Sequence, residues 1–226
     1  MLALLYDIHG NLVALDEVLK DAEAAGVDAY LLGGDFASWS PWPRETIERL
    51  RSLPNTTWIR GNGERWLTEP PEDVPEIAPT IKLMAHDLAN EVQRLYDLPT
   101  QAEIDGVLYV HGSPLSDVES FAAEPRDDDE RMLNGVRDQT VVFGHSHLQF
   151  LRRGPKATDL VNPGSVGMPL DGDVRAAWAL RPDGGDFEFR RTEYDVARQA
   201  AAYRALPDEY GEVREFMARR IERGSD

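Results

Sequence analysis

Short apolar segments alternate with amphipathic segments over the first 60 residues. Apolar runs at 2–6, 30–32 and 57–59 each predict a strand. Between them, 12–25 and 44–53 place apolar residues at helical spacing. The order strand, helix, strand, helix, strand is typical of parallel βαβ units. The pattern therefore predicts an α/β fold for the first third of the chain.

Residues 64–104 interrupt this alternation. Four prolines are followed by apolar residues at helical spacing, which we interpret as a helical insertion that covers a site. Strands are predicted again at 107–110 and 141–143, with an acidic loop and helix at 124–135 between them. Strand-like runs near 148–152, 158–161, 174–180 and 186–192, then a helical tail at 194–222, favour an added antiparallel part. No repeat or linker divides the chain, so 1–226 is predicted to form one domain.

Charge and composition narrow the function classes. The 41 acidic and 24 basic residues give a net charge of −17. This balance argues against bulk nucleic-acid binding and against docking on an anionic membrane. A small phosphate substrate remains compatible, because a bound cation reverses the field locally. The absence of cysteine excludes disulfides, thiolate metal sites and cysteine nucleophiles. With no signal-peptide pattern and no apolar run near ~18 residues, we expect a cytoplasmic protein.

Seven polar residues lie at the ends of the strand-like runs. Taken singly, each has an ordinary structural explanation, such as a turn former, a helix cap or a packed histidine. Together they place four of the five histidines at strand ends, where ligands bind in an open α/β sheet. The donors are imidazole and oxygen without sulfur, and they suffice for two ions if one carboxylate bridges them. The seven residues are Asp7, His9, Asp35, Asn62, His111, His145 and His147.

The order of these motifs resembles the calcineurin-like metallophosphoesterase superfamily, and the resemblance covers most of the chain. It implies a four-layer α/β/β/α sandwich of two mixed sheets flanked by helices. The small stand-alone bacterial and archaeal phosphodiesterase branch is the most similar, because of the first and last motifs. The motifs, in order, are Asp7-Ile8-His9-Gly10-Asn11, Gly34-Asp35, Gly61-Asn62, His111, Gly144-His145-Ser146-His147 and Asn162-Pro163-Gly164-Ser165.

The resemblance also implies a role for each residue. Asp7, His9 and His147 would hold one metal ion. Asn62, His111 and His145 would hold the second, and Asp35 would bridge the two. A water or hydroxide between the ions would attack phosphorus in line, with Asp35, Asn62 and His111 closest to the chemistry. We expect two divalent transition-metal ions, manganese first, with iron, zinc, cobalt or nickel as alternatives.

One position departs from the family pattern. Many relatives carry a histidine directly after the Gly-Asn motif, where it protonates the leaving group, but this chain has Gly63 followed by Glu64. A general acid is worth ~10²–10⁴-fold when the leaving group is poor. Its loss favours phosphodiesters and nucleotide anhydrides over alkyl monoesters. We therefore predict a phosphodiesterase that acts on a small substrate, with a nucleotide as one candidate.

Three other residues are candidate substrate contacts, each with an ordinary alternative. His86 would replace the missing acid if the insertion folds over the metals, whereas its helical neighbours favour a surface or packed position. Trp39, like Trp42 and Trp66, is a candidate to stack on a base or to pack in the core. Arg60 precedes Gly61-Asn62 and is a candidate for a phosphate contact or a surface salt bridge.

Other functions share the same core. A phosphomonoesterase, including a protein Ser/Thr phosphatase, or a dinucleoside polyphosphate hydrolase would differ only in the pocket. Outside enzymes, a non-catalytic nucleotide-binding module is the alternative, and the complete set of seven donors argues against it. The expected partner is a small phosphate ester, and the sequence leaves the oligomeric state open.

Overall fold

The computed structural model describes residues 1–225, which form two five-stranded mixed sheets that pack face to face. The strands are β1 (Leu2–Leu5), β2 (Ala29–Leu32), β3 (Thr56–Trp58), β4 (Gln101–Ile104), β5 (Val107–Val110), β6 (Thr140–Val142), β7 (Gln149–Arg153), β8 (Asp159–Pro163), β9 (Ala176–Arg181) and β10 (Glu188–Thr192).

Eight α-helices accompany the sheets in the described part of the chain, and none of them is long and apolar enough to cross a membrane. They are α1 (Leu12–Ala24), α2 (Pro43–Arg51), α3 (Asn62–Trp66), α4 (Ala78–Leu88), α5 (Val92–Tyr96), α6 (Asp129–Met132), α7 (Val196–Arg204) and α8 (Val213–Arg223).

Each sheet combines three adjacent parallel strands with two antiparallel pairings. The first sheet has the order β10-β9-β1-β2-β3, in which β1, β2 and β3 are parallel. The second has the order β4-β5-β6-β8-β7, in which β5, β6 and β8 are parallel. The predicted α/β fold with two mixed sheets is confirmed.

The hydrophobic residues separate into layers that hold the sheets and helices together. Leu4 and Leu31 of the first sheet pack against Tyr109, Val142 and Val161 of the second. On the outer face of the first sheet, the packing includes apolar residues of α1, α2 and α5. Residues around α6 cover the outer face of the second. The α/β/β/α order of layers is therefore present.

The segment predicted to be a helical insertion contains α4 and α5, but its end was assigned wrongly. Residues Gln101–Ile104 form β4, an edge strand that pairs antiparallel with β5 in the register Gln101 to Val110. Its four residues are too few for a clear alternation. The turn that follows carried the better signal, since Asp105 and Gly106 both have positive φ, as a tight hairpin turn requires.

The helical tail is confirmed as two helices, α7 and α8, which pack on one another. Their contact includes Ala200 and Tyr203 of α7 with Met217 and Ala218 of α8, all buried. Met168, from the loop after β8, belongs to the same cluster. This packing brings α8 next to the loops that carry the predicted metal ligands.

Candidate metal centre

The seven predicted ligands come together where five strands end. They lie in the loops after β1, β2, β5 and β6 and at the start of α3, which follows β3. Parallel strands bring their carboxyl ends to the same edge of a sheet, and the facing of the two sheets joins the two edges. Six of the seven side chains are buried and His145 is half-buried.

Five of these residues adopt the left-handed backbone region, which residues other than glycine rarely occupy. Loops after β1 and β2 support one another here, since the His9 N–H donates to Asp35 O and the Gly10 N–H to Phe36 O. Each such residue costs on the order of 1–3 kcal/mol, and strain of this kind concentrates at functional sites. The φ angles are 51° at Asp7, 47° at His9, 54° at Asp35, 65° at His145 and 59° at His147.

Three imidazole rings are oriented by backbone carbonyl groups. Nδ1 of His9 lies 3.2 Å from Ser38 O and Nδ1 of His111 lies 2.8 Å from Gly33 O. Nδ1 of His147 lies 2.7 Å from Met168 O. Because a carbonyl only accepts, each Nδ1 carries the proton, and in the neutral ring the Nε2 lone pair faces the interior of the site. Metal-ligating histidines are commonly oriented in this way.

Asp7 lies at the middle of the three rings. Its Oδ1 atom is 3.5 Å from His147 Nε2, 3.8 Å from His111 Nε2 and 4.0 Å from His9 Nε2. That buried oxygen has no hydrogen-bond partner within residues 1–225. His9 Nε2 and His147 Nε2 also face each other at 3.2 Å. Converging acceptors without donors fit a cation, and this mixed nitrogen and oxygen set fits divalent transition metals.

Asp35 presents one carboxylate oxygen to each side of the cluster. Its Oδ2 atom lies 3.8 Å from His9 Nε2, and its Oδ1 atom lies 3.5 Å from His111 Nε2. Two groups of donor atoms result, each within 4.8 Å: Asp7, His9 and His147, and Asp7, Asp35 and His111. The arrangement suits a bridging role for Asp35, and it also places Asp7 in both groups, which the sequence did not predict.

Asn62 and His145 extend the second group. A terminal atom of the Asn62 amide lies 3.1 Å from His111 Nε2 and 2.9 Å from His145 Nδ1. With nitrogen at that position the amide donates to the rings. With oxygen there, three acceptors converge, which is the arrangement that a cation requires. The structure thus brings all seven predicted ligands into one cluster.

Burial sets the protonation of this cluster in the metal-free protein. It raises the pKa of Asp35 to about 7, an effect that the charge of His111 opposes and that Glu64 and Asp7 reinforce. Burial also lowers the pKa of His9 to about 3 and that of His145 to about 4. For His111 burial acts in the same direction, but the Asp35 and Asp7 carboxylates outweigh it and raise its pKa.

Glu64 joins the loops of two strands, a role that sequence reasoning missed. Its buried carboxylate accepts hydrogen bonds from the backbone N–H groups of Asp35 (2.9 Å), Phe36 (2.8 Å) and Gly61 (2.8 Å). The sequence signal was present, because Glu64 lies three residues after Gly61, the N-cap of α3, as in a capping box. Glu64 therefore fixes the backbone of Asp35 relative to that of Asn62.

The Asn162-Pro163-Gly164-Ser165 motif also acts on the loops rather than on the centre itself. The Ser165 hydroxyl donates to Asp7 O at 2.7 Å and accepts from the Met168 N–H at 2.8 Å. The Asn162 side chain donates to Gly144 O at 3.2 Å and to Ser146 Oγ at 2.9 Å. These bonds connect the loops after β1 and β6 to the loop after β8.

A cavity of about 380 Å³ opens above the cluster. Trp39 lines it, as predicted for a substrate contact, and Trp66 lines it too, whereas Trp42 does not. The insertion contributes Ile77. Several residues of the cavity wall were not predicted from the sequence. Most of these belong to α8: Val213, Phe216, Met217 and Arg220.

Two predicted substrate contacts do not lie in the lining of this cavity. The side chain of His86 is 86% exposed on α4, beside Asp87. The Arg60 guanidinium stacks on the Tyr96 ring at 4.6 Å and donates to Tyr96 O at 2.7 Å. The ordinary alternative holds for His86, which is a surface residue. Arg60 forms neither the phosphate contact nor, among the described residues, the predicted surface salt bridge: it is half-buried and holds α5 against the loop after β3.

Comparisons with known proteins agree with this geometry. Residues 1–182 match the family model for the calcineurin-like phosphoesterase superfamily domain. An uncharacterized protein of Methanocaldococcus jannaschii is 29% identical, with 97% of this chain and 98% of that protein covered. A metallophosphoesterase structure from Sphaerobacter thermophilus superposes with a TM-score of 0.80 at 27% identity, with 99% of each chain covered. The fold is shared with protein PH1004 of Pyrococcus horikoshii, with a TM-score of 0.83, 21% identity and 100% of each chain covered. The chain therefore belongs to the calcineurin-like phosphoesterase superfamily.

Proposed function

We propose that this protein is a dinuclear metal-dependent phosphoesterase that hydrolyses phosphodiester bonds in a small substrate. The observation that carries the proposal is the convergence of unpaired acceptors around Asp7. Three carbonyl-anchored imidazoles point Nε2 at one buried carboxylate oxygen. A divalent cation satisfies such a group of acceptors. Membership of a phosphoesterase superfamily supports a phosphate ester as the substrate.

In this proposal, Asp7, His9 and His147 hold one ion, and Asn62, His111 and His145 hold the other. Asp35 is shared, since its two oxygens face His9 and His111. When bound, the two ions supply Lewis-acid chemistry that lowers the pKa of a water and neutralises charge on the phosphoryl oxygens. Manganese is the first expectation for both positions, because imidazole and carboxylate donors suit it.

The chain's own groups favour a diester. Apart from the predicted ligands, Arg220 is the one titratable side chain that lines the described cavity, so no side chain is placed to protonate a poor leaving group. The wall is largely apolar and carries one cation. A phosphomonoester brings about −1.5 to −2 charges at neutral pH, whereas a diester brings one. Desolvation in this cavity therefore costs less for the diester.

The test compares two substrates with the same leaving group. Metal-free protein is reloaded with Mn²⁺, and kcat/KM is measured for bis(p-nitrophenyl) phosphate and for p-nitrophenyl phosphate. Metal content is measured on the same samples. We expect two ions per chain and a clear preference for the diester.

Matched variants test whether metal binding and activity depend on the predicted ligands. Asp35→Asn and His111→Ala are expected to lose metal and nearly all activity, whereas the surface variant His86→Ala keeps both. A preference for the monoester would contradict the diester assignment and favour the phosphomonoesterase alternative. Two bound ions with no turnover of any ester would instead favour a nucleotide-binding module.

A further inference from the structure

Helix α8 lies outside the part of the chain that matches the superfamily domain, yet it lines the cavity above the candidate metal centre. The match ends at residue 182, and α8 spans Val213–Arg223. Met217 and Ala218 on α8 pack into a buried cluster with Met168 and Trp39. Because the Met168 carbonyl accepts from His147 Nδ1, the cluster that seats α8 also orients a predicted ligand.

Two side chains of α8 combine charge with an aromatic face. The Arg220 guanidinium lies 5.2 Å from the centre of the Phe216 ring, and both side chains line the cavity. Arg220 is close to the candidate centre, because it lines the same cavity as His9, Asp35 and His147. Phe216 is 54% exposed, so its ring is accessible to a ligand at the cavity mouth.

The cavity also contains two tryptophans, both following predicted ligand strands. Trp39 has φ 62°, a strained value for a bulky residue. Its backbone N–H donates to the Met84 sulfur at 3.4 Å. Trp66 ends α3, the helix that begins at Asn62. The same cavity thus holds three aromatic rings, one guanidinium and the predicted ligands, and aromatic rings of this kind bind planar bases by stacking.

We propose that this cavity binds a phosphate ester of a single nucleoside, with Arg220 contacting the phosphate and Phe216 and Trp39 contacting the base. The inference rests on the proposed function, because the ester must place its phosphorus over the metal cluster. A volume of about 380 Å³ suits one nucleotide-sized group. The net charge of −17 opposes capture of a nucleic-acid strand. Arginine is the cation suited to both groups, since its planar fork binds phosphate and stacks on rings.

The test is equilibrium binding, so it does not depend on turnover. Isothermal titration calorimetry of the Mn²⁺-loaded protein compares adenosine 5′-monophosphate with ribose 5-phosphate, which lacks only the base. Base stacking predicts that the nucleotide binds about 5- to 150-fold more tightly. Equal affinities for the two ligands would overturn the assignment of a base to the aromatic rings.

Variants of α8 distinguish the contact with the base from the contact with the phosphate. Phe216→Ala is expected to reduce the ratio of the two affinities. Arg220→Met is expected to weaken both ligands by about tenfold or more and leave the ratio unchanged. Arg220→Lys keeps the charge but lacks the planar fork, so its affinity for each ligand should lie between those of the wild-type protein and Arg220→Met. The matched control is Arg219→Met, which removes an exposed arginine that pairs with Glu215 at 2.8 Å.

Three results distinguish failure of this inference from failure of the proposed function. Unchanged affinities in Arg220→Met, with metal content and melting temperature preserved, would overturn the phosphate contact. If Arg220→Met does not fold, Arg220→Lys is measured instead: wild-type affinity for both ligands would overturn the forked contact between the guanidinium and the phosphate, and weaker binding of both would support it. Nucleotide binding as predicted, together with no hydrolysis of any diester, contradicts the proposed function and leaves the binding assignment standing.

Discussion

The hydroxyl oxygen of Ser38 lies 2.0 Å from the position that a Cβ atom would occupy at Gly63. The same Cβ would lie 2.9 Å from Asp35 Oδ1, which accepts a 2.7 Å hydrogen bond from the Gly63 N–H. Position 63 therefore has no room for a side chain while Ser38 is present. The residue that departs from the family pattern is packed against its neighbours, and its backbone still serves the site by holding Asp35.

The Ser38 and Gly63 pair predicts a strong coupling between two substitutions. Gly63→Ala alone should lower the free energy of unfolding by about 1–3 kcal/mol, because the added methyl group overlaps the hydroxyl. Ser38→Ala alone should cost less, and the double variant should recover most of the loss. Urea unfolding of the four metal-free proteins measures the coupling. Simple additivity of the two single effects would contradict this packing.

The same geometry determines how a general acid can be restored. Gly63→His should be made together with Ser38→Ala, since the single substitution displaces Asp35 and confounds the result. If a missing acid limits the reaction, the double variant should gain on phenyl phosphate relative to p-nitrophenyl phosphate, by up to ~10²-fold. Ser38→Ala alone is the control. No relative gain in the folded, metal-loaded double variant argues that leaving-group protonation is not the limit.

Glu64 provides a third prediction, because one carboxylate accepts hydrogen bonds from three backbone donors. Glu64→Gln keeps one oxygen and turns an NH₂ group towards N–H donors, so we expect a loss of about 1–3 kcal/mol in unfolding free energy. Metal affinity should fall as well, since the backbone of Asp35 loses its support. Denaturant unfolding and Mn²⁺ titration measure the two effects. Glu17→Gln, which breaks a surface pair with Lys20, is the control and should change stability by less than about 0.5 kcal/mol.

Ser165 provides a fourth prediction, at a position with no direct contact to the predicted metals. Ser165→Ala removes one of the two donors to Asp7 O, the other being the Gly167 N–H at 3.0 Å, and leaves the Met168 N–H without its acceptor, at a cost of about 1–3 kcal/mol. Because Met168 O orients His147, the position that contains His147 should bind metal more weakly than the other. Stepwise Mn²⁺ titration resolves this, with Ser52→Ala on the surface as the control. Equal weakening at both positions would show that the loop change is not local.

The convergence of the seven predicted ligands could be predicted from the sequence, because they follow strands whose ends meet at one edge. Asp7, Asp35 and His111 each come directly or almost directly after a strand, and parallel strands deliver their ends to one edge whatever the loops do. That is why seven residues spread over 141 positions (from 7 to 147) could be assigned together. The short strand β4 was missed because an edge strand of four residues has almost no periodicity.

The walls of the cavity could not be predicted in this way. Arg60 is near Asn62 in sequence, yet its side chain points to Tyr96 because a stacking partner lies there. Phe216 and Arg220 are far from His9 in sequence and line the same cavity only because α8 packs on α7. Which residues line a pocket depends on tertiary packing between distant elements, and local patterns carry no information on it.

The metal-free centre predicts a steep dependence of metal binding on pH. Burial raises the pKa of Asp35 from 3.8 to about 7, and the neighbouring carboxylates raise the pKa of His111. His9 and His145 stay neutral over the same range, since burial lowers their pKa values to about 3 and about 4. A metal must therefore displace a proton held by Asp35 and His111. Mn²⁺ affinity should fall at least about tenfold for each pH unit below the Asp35 pKa of about 7, and the proton on His111 should add to that slope.

The raised pKa of Asp35 also determines how the stability of the metal-free fold changes with pH. A carboxyl whose folded pKa is raised stabilises the metal-free fold below its unfolded pKa. That contribution is lost as the pH rises from about 4 to about 7. Bound metal reverses the trend, because it requires the ionised form. The melting temperature difference between Mn²⁺-loaded and metal-free protein should therefore widen from pH 5 to pH 8. In the metal-free protein, Asp35→Asn should flatten the pH dependence of the melting temperature. A difference between Mn²⁺-loaded and metal-free wild-type protein that stays constant would show that Asp35 is already ionised before metal binds.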